Sequence, residues 1–185
     1  MERLVLPVRS VGVQGDFRTY KYPVSLSFAN QGEGFYHIPK KWEKIDRAMS
    51  GITNIAKHTN RTLLRLWQNP KIKDKDMKLQ KGYCTKERLD MLRTVDDIVT
   101  SELHNAGWYN KIFQSLVIIL PYASQLNKAT FVLRPVVSED VMTARFAPLP
   151  LDLLDTLIKK IVALPFVDAL YYDCTNKPPA TFGWE

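Results

Sequence analysis

Two stretches of this 185-residue chain change their apolar period in the same order, and that repetition limits the fold more than any single motif. LVLPVRSVGV (Leu4 to Val13) is rich in β-branched residues, and YPVSLSF (Tyr22 to Phe28) alternates apolar with polar positions. That is the pattern of two strands of a hairpin. QGDFRT between them is turn chemistry, and NQGEG at Asn30 to Gly34 closes the second strand. A helix is expected from near Pro39, because the N–H that proline lacks has no partner in the first helical turn. Trp42, Ile45, Met49 and Ile52 then fall on one face, and Gly51 lies near the end. TNRTLLRLW (Thr59 to Trp67) returns to a strand pattern.

The order recurs in the last third. SLVIILPYA (Ser115 to Ala123) and ATFVLRPVVS (Ala129 to Ser138) read as a second hairpin around SQLNK. PLDLLDTLIKKIVAL places Leu154, Leu157, Ile158 and Ile161 on one helical face, with Pro165 as the stop, and FVDALYYDC (Phe166 to Cys174) closes the unit. Val24 and Val132 lie 108 positions apart, and LLRLW and ALYYD lie 106 apart. The expected class is α+β: two repeated modules, each a small antiparallel sheet (β-β-α-β) with a helix packed on one face. Residues 1–67 form the first module and 111–185 the second. The insertion 68–110 holds a lysine-rich loop and an extra helix, capped at Thr85 and striped by Leu89, Leu92, Val95, Val99 and Leu103, with Gly107 as its stop.

A net charge of +7 favours an anionic partner. Much of it comes from KIKDKDMKLQK (Lys71 to Lys81), where lysines mix with aspartates and no arginine or aromatic is interleaved. That reads as a solvated loop rather than a nucleic-acid surface. Cys84 and Cys174 are too far apart for a C-x-x-C unit and read as reduced thiols of a cytosolic protein. His37, His58 and His104 have no metal-ligand spacing. No apolar run reaches the roughly 18 residues needed to span a bilayer, and MERLVLPVRSVGV lacks signal-peptide order. The expectation is no metal, no nucleic acid and no membrane.

G-x-x-x-x-G-K-[ST], G-x-G-x-x-G and G-x-S-x-G are all absent, so no self-sufficient catalytic motif appears. Phosphate-suited residues cluster instead at turns and in TNKPPATFGWE (Thr175 to Glu185). Arg18 at a hairpin tip has a guanidinium suited to a phosphate fork. Lys177 precedes Pro178 and Pro179, which stiffen the segment, and Thr181 adds a hydroxyl. The segment reads either as a ligand-binding tail or as a docked structural terminus.

These residues resemble a known family. YDCTNKPPATFGWE resembles the ending YD-[IL]-T-S-K-P-P-A-T-I-E-W-E of the glutamine-hydrolysing GMP synthetases. LPVRSVGVQGDFRTYKYPVSL resembles their VRSVGVxGDxRTYxxPVAL, and VVSEDVMTARFAPLPLDLL their S-x-D-F-M-T-A-x-x-x-x-L-P-x-D-x-L. TVDDIVTSELHNAGWYNKIFQ is similar to the helix entering the second module of the longer, eukaryotic-type form.

The resemblance implies the C-terminal dimerisation and nucleotide-binding region of a carbon–nitrogen ligase that makes GMP from xanthosine monophosphate, ATP and glutamine-derived ammonia. It implies partnership with the ATP-pyrophosphatase and glutaminase domains of the same enzyme, whose S-G-G-V-D-S loop and Cys–His–Glu triad this sequence lacks. The region is therefore expected to be inactive alone, with no catalytic residue and no cofactor of its own, ATP and Mg belonging to the full enzyme. Carried over as substrate ligands are Arg18, Gln114, Lys177, Thr181, Phe182 and Glu185. Gly183 stands where the family has a glutamate. Pairing as a homodimer and an internal pseudo-dimer both stay open, and the alternative is an assembly module that has lost nucleotide binding.

Overall fold

Two strands in which every residue is buried run side by side through the middle of the molecule. The computed structural model describes residues 1–15 and 17–184. In chain order the elements are β1 (Glu2–Val5), β2 (Ser10–Gln14), β3 (Phe17–Lys21), β4 (Val24–Ser27), β5 (Asn30–Gly32), β6 (Phe35–Tyr36), α1 (Trp42–Ile55), β7 (Thr62–Gln68) and β8 (Lys78–Leu79). There follow α2 (Lys86–Asn105), β9 (Gln114–Leu120), β10 (Tyr122–Ala123), β11 (Ala129–Val137), β12 (Arg145–Phe146), α3 (Leu151–Val162) and β13 (Val167–Asp173).

The class is α+β, built on one mixed sheet and three helices. The small antiparallel sheets expected from the sequence are corrected on this point. The strands join in one nine-stranded sheet along β1-β4-β7-β13-β11, with β9 and β12 also on β11. Pairs β4–β7 and β11–β13 are parallel. The reason is the crossover: a strand that returns through a helix runs alongside the one it left, whereas a tight hairpin reverses it. The central pair β7–β13 is antiparallel.

The strand period of two sorts side chains onto two faces. Leu64, Leu66, Phe131, Leu133, Leu170 and Tyr172 meet Ile45 and Met49 of α1, Val95, Val99 and Leu103 of α2, and the leucines of α3. Leu63, Val132, Ala169 and Tyr171 point the other way, under Leu6, Val8, Met77 and Trp184. Leu153, Leu154, Leu157, Ile158 and Ile161 of α3 are all buried, each contributing roughly 1.5–3 kcal/mol of apolar transfer. Thr85 caps α2, its Oγ1 accepting from Arg88 N at 3.3 Å.

Three local readings change. Leu4 to Val13 is not one strand: β1 pairs with β4, the chain breaks around Pro7, and β2 pairs with β3 as a ribbon separate from the main sheet. Leu6 and Val8 turn into the second apolar cluster, and Pro7 has no N–H with which to continue a ladder. Phe17 and Arg18, read as turn, belong to β3. Helix α1 begins at Trp42 rather than Pro39. The Lys71–Lys81 stretch is also more than a solvated loop. Met77 is buried, Lys78–Leu79 pair with Tyr122–Ala123, and Asp74 meets the buried Arg65 at 3.1 Å.

Candidate functional site

The tail that follows β13 is held by charges inside the protein. Asp173, Arg61 and Arg134 have fully buried side chains; Asp173 Oδ2 accepts from Arg61 Nη1 at 2.9 Å and forms an ion pair with Arg134 Nη1 at 3.0 Å. The Trp184 indole donates to the same oxygen at 3.0 Å, and Thr175 N donates to Oδ1 at 3.0 Å. Burial pushes the Asp173 carboxyl up, but Arg134, Arg61 and Thr175 together outweigh it and hold the group below the usual aspartate range.

The two guanidiniums then reach the tail backbone. Arg134 donates to Thr175 O at 3.1 Å, Thr181 O at 2.6 Å and Phe182 O at 2.7 Å. Arg61 donates to Val11 O at 3.0 Å, to Thr181 Oγ1 at 2.8 Å and to Gly183 O, and lies 5.1 Å over the Trp184 ring. The β2 strand completes the dock: Val11 N donates to Trp184 O at 3.0 Å and Val13 N to Pro179 O at 2.8 Å. Gly12 bridges to Ala180 between them.

Within this frame Lys177 exchanges backbone hydrogen bonds with Ala144 (2.8 and 3.1 Å). Its ammonium donates to Val141 O at 2.7 Å and sits 4.3 Å from the Phe182 ring centre, and Phe182 in turn packs on Phe113 at 5.2 Å. Lys177 has no ion pair among the described residues; its neighbours are a neutral carbonyl and an aromatic face. A cleft of about 730 Å³, walled by Asn110–Phe113, Val137–Asp140 and Thr143–Arg145, adjoins the tail through Phe113 and Ala144, which touch Phe182 and Lys177. Lys177 itself is not in its wall; its volume is in the range of small-molecule sites of roughly 300–1,000 Å³.

The structure brings Lys177 and Phe182 together, with Gln114 one residue from Phe113 at the start of β9. Gln114 Oε1 is buried with no hydrogen-bond partner among the described residues. Thr181 lies in the tail, but its hydroxyl is committed to Arg61, Val11 and Gly183. Arg18 is exposed on β3 opposite Val13, and no contact among the described residues joins it to Lys177. Glu185 lies outside the described residues. Arg61, Arg134 and Asp173 were not anticipated as tail contacts, although charged residues within the apolar strands FVLRPVV and ALYYD were a legible signal, because buried charges need partners. Among the described residues no group of three His, Cys, Asp or Glu side chains is placed to share a metal ion, and no helix is long and apolar enough to cross a membrane.

Residues 101–184, which carry the cleft, the central strand β13 and the anchored tail, match the family described as GMP synthase C terminal domain. Through them this part of the chain belongs with that family. It is 33% identical over 181 residues to a probable glutamine-hydrolysing GMP synthase of Leptospira interrogans, an alignment covering 98% of this chain and 28% of the relative. It is 43% identical over 112 residues to a GMP synthase of Thermus thermophilus and 38% identical over 112 residues to one of Nitratidesulfovibrio vulgaris. Each of these covers 56% of this chain and 22% of the relative. The chain thus spans between about a fifth and rather more than a quarter of these relatives, and nearly all of it, insertion included, aligns to one bacterial GMP synthase.

Proposed function

We propose that this chain is the nucleotide-holding and assembly region of a GMP synthase, acting in the cytosol on xanthosine monophosphate together with the glutaminase and ATP-pyrophosphatase domains. In this reading ATP and Mg bind to the latter domain, and this region is inactive alone. Lys177 supplies a point charge to the phosphate, and Arg18 a guanidinium fork. Gln114 offers an amide to phosphate or ribose. Thr181 and Phe182 shape the site, Thr181 through its buried bonds and Phe182 as the surface beneath Lys177. The observation that carries the reading is the ammonium of Lys177, held in place by neutral groups beside an open cleft.

We further propose that residues 1–67 and 111–185 are two copies of one module around an internal two-fold, separated by the insertion 68–110. In support, the order β1-β4-β7 followed by β13-β11-β9 reads the same from both ends in pairing sense. Arg65 and Tyr171, directly paired at its centre, are 106 positions apart. Cys174 N donates to Thr62 O at 3.0 Å and Asn69 N to Asp168 O at 2.8 Å, corresponding bonds at the two ends of the central pair that differ by the one-residue register shift between Leu170 and Tyr171. Such a module pair does within one chain what a two-fold dimer does between chains.

A second reading, assembly without nucleotide binding, is favoured by Gly183 at the position of the family's glutamate and by the committed Thr181 hydroxyl. Titration of xanthosine monophosphate into the chain, followed by NMR, separates them. The nucleotide reading expects shifts at Gln114 and residues 177–183 that Lys177→Ala abolishes. Shifts that persist in Lys177→Ala would refute Lys177 as the phosphate ligand, whereas none at millimolar nucleotide, even when the neighbouring domains are present, would favour assembly alone.

A further inference from the structure

We infer that Arg134, held by Asp173, is the positioning residue that sets where Lys177 stands, by clamping both ends of the turn that carries it. The inference rests on the reading of Lys177 as the phosphate ligand. Lys177 lies between Thr175 and Thr181, and Arg134 is bonded to both flanks: to Thr175 O on one side and to Thr181 O and Phe182 O on the other. One rigid guanidinium therefore closes the turn. It also holds the backbone of Phe182, the residue whose ring lies 4.3 Å from the ammonium, through a bond from Arg134 Nε to its carbonyl.

Asp173 keeps that guanidinium in place. It pairs with Arg134 and Arg61 at one oxygen and takes Trp184 on the same atom, so the last turn of the tail is tied to the same carboxylate. Arg61 belongs to the segment leading into β7, whereas Arg134 and Asp173 lie on β11 and β13. The clamp thus joins the two ends of the sequence around one buried charge. A flexible tail would lose freedom on capturing a phosphate; a tail already ordered by the clamp avoids most of that cost.

Arg134→Lys keeps the positive charge beside Asp173 but replaces five fixed donors with one ammonium that cannot reach three carbonyls at once. Hydrogen exchange at Val11, Val13, Lys177 and Ala180, whose amides bond within or onto the tail, reads the clamp without nucleotide. A titration with xanthosine monophosphate reads its consequence. The expected result is exchange at these amides about ten-fold faster or more, protection in β11 and β13 unchanged, and nucleotide affinity down by about ten-fold, from the loss of charge-assisted hydrogen bonds. Trp184→Phe, which removes one donor to Asp173 and leaves both arginines, is expected to shift the same amides in the same direction by a smaller factor; it carries the test if Arg134→Lys disturbs the sheet.

Unchanged tail exchange with an intact sheet would overturn the clamp. So would a loosened tail with undiminished affinity, since tail order would then not set the site. Failure of the parent chain to bind the nucleotide with the neighbouring domains present would refute the phosphate reading instead, while the exchange measurements alone would still uphold or overturn the clamp.

Discussion

Gly12→Ala is the sharpest test of how the tail is docked. A Cβ at residue 12 would stand 2.5 Å from Pro179 O and 2.8 Å from both Cβ and Nδ2 of Asn60. Neither neighbour moves easily. Pro179 O accepts from Val13 N at 2.8 Å. Asn60 is buried and bonded on both sides, giving Nδ2 to Ser10 O at 2.7 Å and taking Ser10 Oγ on Oδ1 at 2.7 Å. Overpacking by one methyl costs about 1–3 kcal/mol, and each hydrogen bond lost as the backbones separate adds about 0.5–1.5 kcal/mol. With one such bond broken the total is about 1.5–4.5 kcal/mol. The strain falls at the seam between β2 and the tail, so the tail is expected to lift first. Amide exchange at Val11 and Val13 should accelerate more than in β7 or β13, and the urea midpoint should fall at unchanged slope. Stability within about 0.5 kcal/mol of the parent, with both amides still protected, would mean that the close approach does not hold the tail.

The same change at Gly51 should have the opposite sign. Gly51 lies inside α1 with nothing within 4 Å of its prospective Cβ, so Gly51→Ala should stabilise by about 0.5–1 kcal/mol in a urea titration. The pH dependence of Asp173 is likewise directional. Its folded-state pKa is lowered, so its contribution is complete above the unfolded value of about 3.9 and disappears as acid brings the pH down through the folded value. The stability gap between the parent and Asp173→Asn should therefore be flat from neutral pH to about pH 5 and close below pH 4; a gap that widens in acid would contradict the ion-pair account.

The element types were largely legible because they depend on period. The stripe on α2, the Thr85 cap and the strand patterns of β11 and β13 all rest on residues within a few positions of one another. Pairing sense was not legible in the same way. Whether β7 and β13 close separate sheets or join one depends on apolar positions both faces of which must be covered, and those partners lie about a hundred residues apart. The break at Pro7 was written in the sequence as a residue without an N–H, but its reason, the turn of Leu6 and Val8 onto the far face of the sheet, was not.

For the site, residue types and order singled out Arg18, Lys177 and Thr181, because a lysine before two prolines is a local pattern, while Gln114, Phe182 and Glu185 came only from the family resemblance. Arg61, Arg134 and Asp173 each read singly as a polar residue in or beside a strand. What the sequence determined by itself was the periodicity of the helices and strands, the net positive charge and the identity of the tail. Only the tertiary structure decided that one buried carboxylate gathers two arginines and a tryptophan, that the Thr181 hydroxyl faces inward, and that the tail lies along β2. The physical reason is range. Local spacing fixes which face of an element a side chain occupies, whereas a charge becomes an anchor only when folding brings its counter-charge within about 3 Å and removes the water between them.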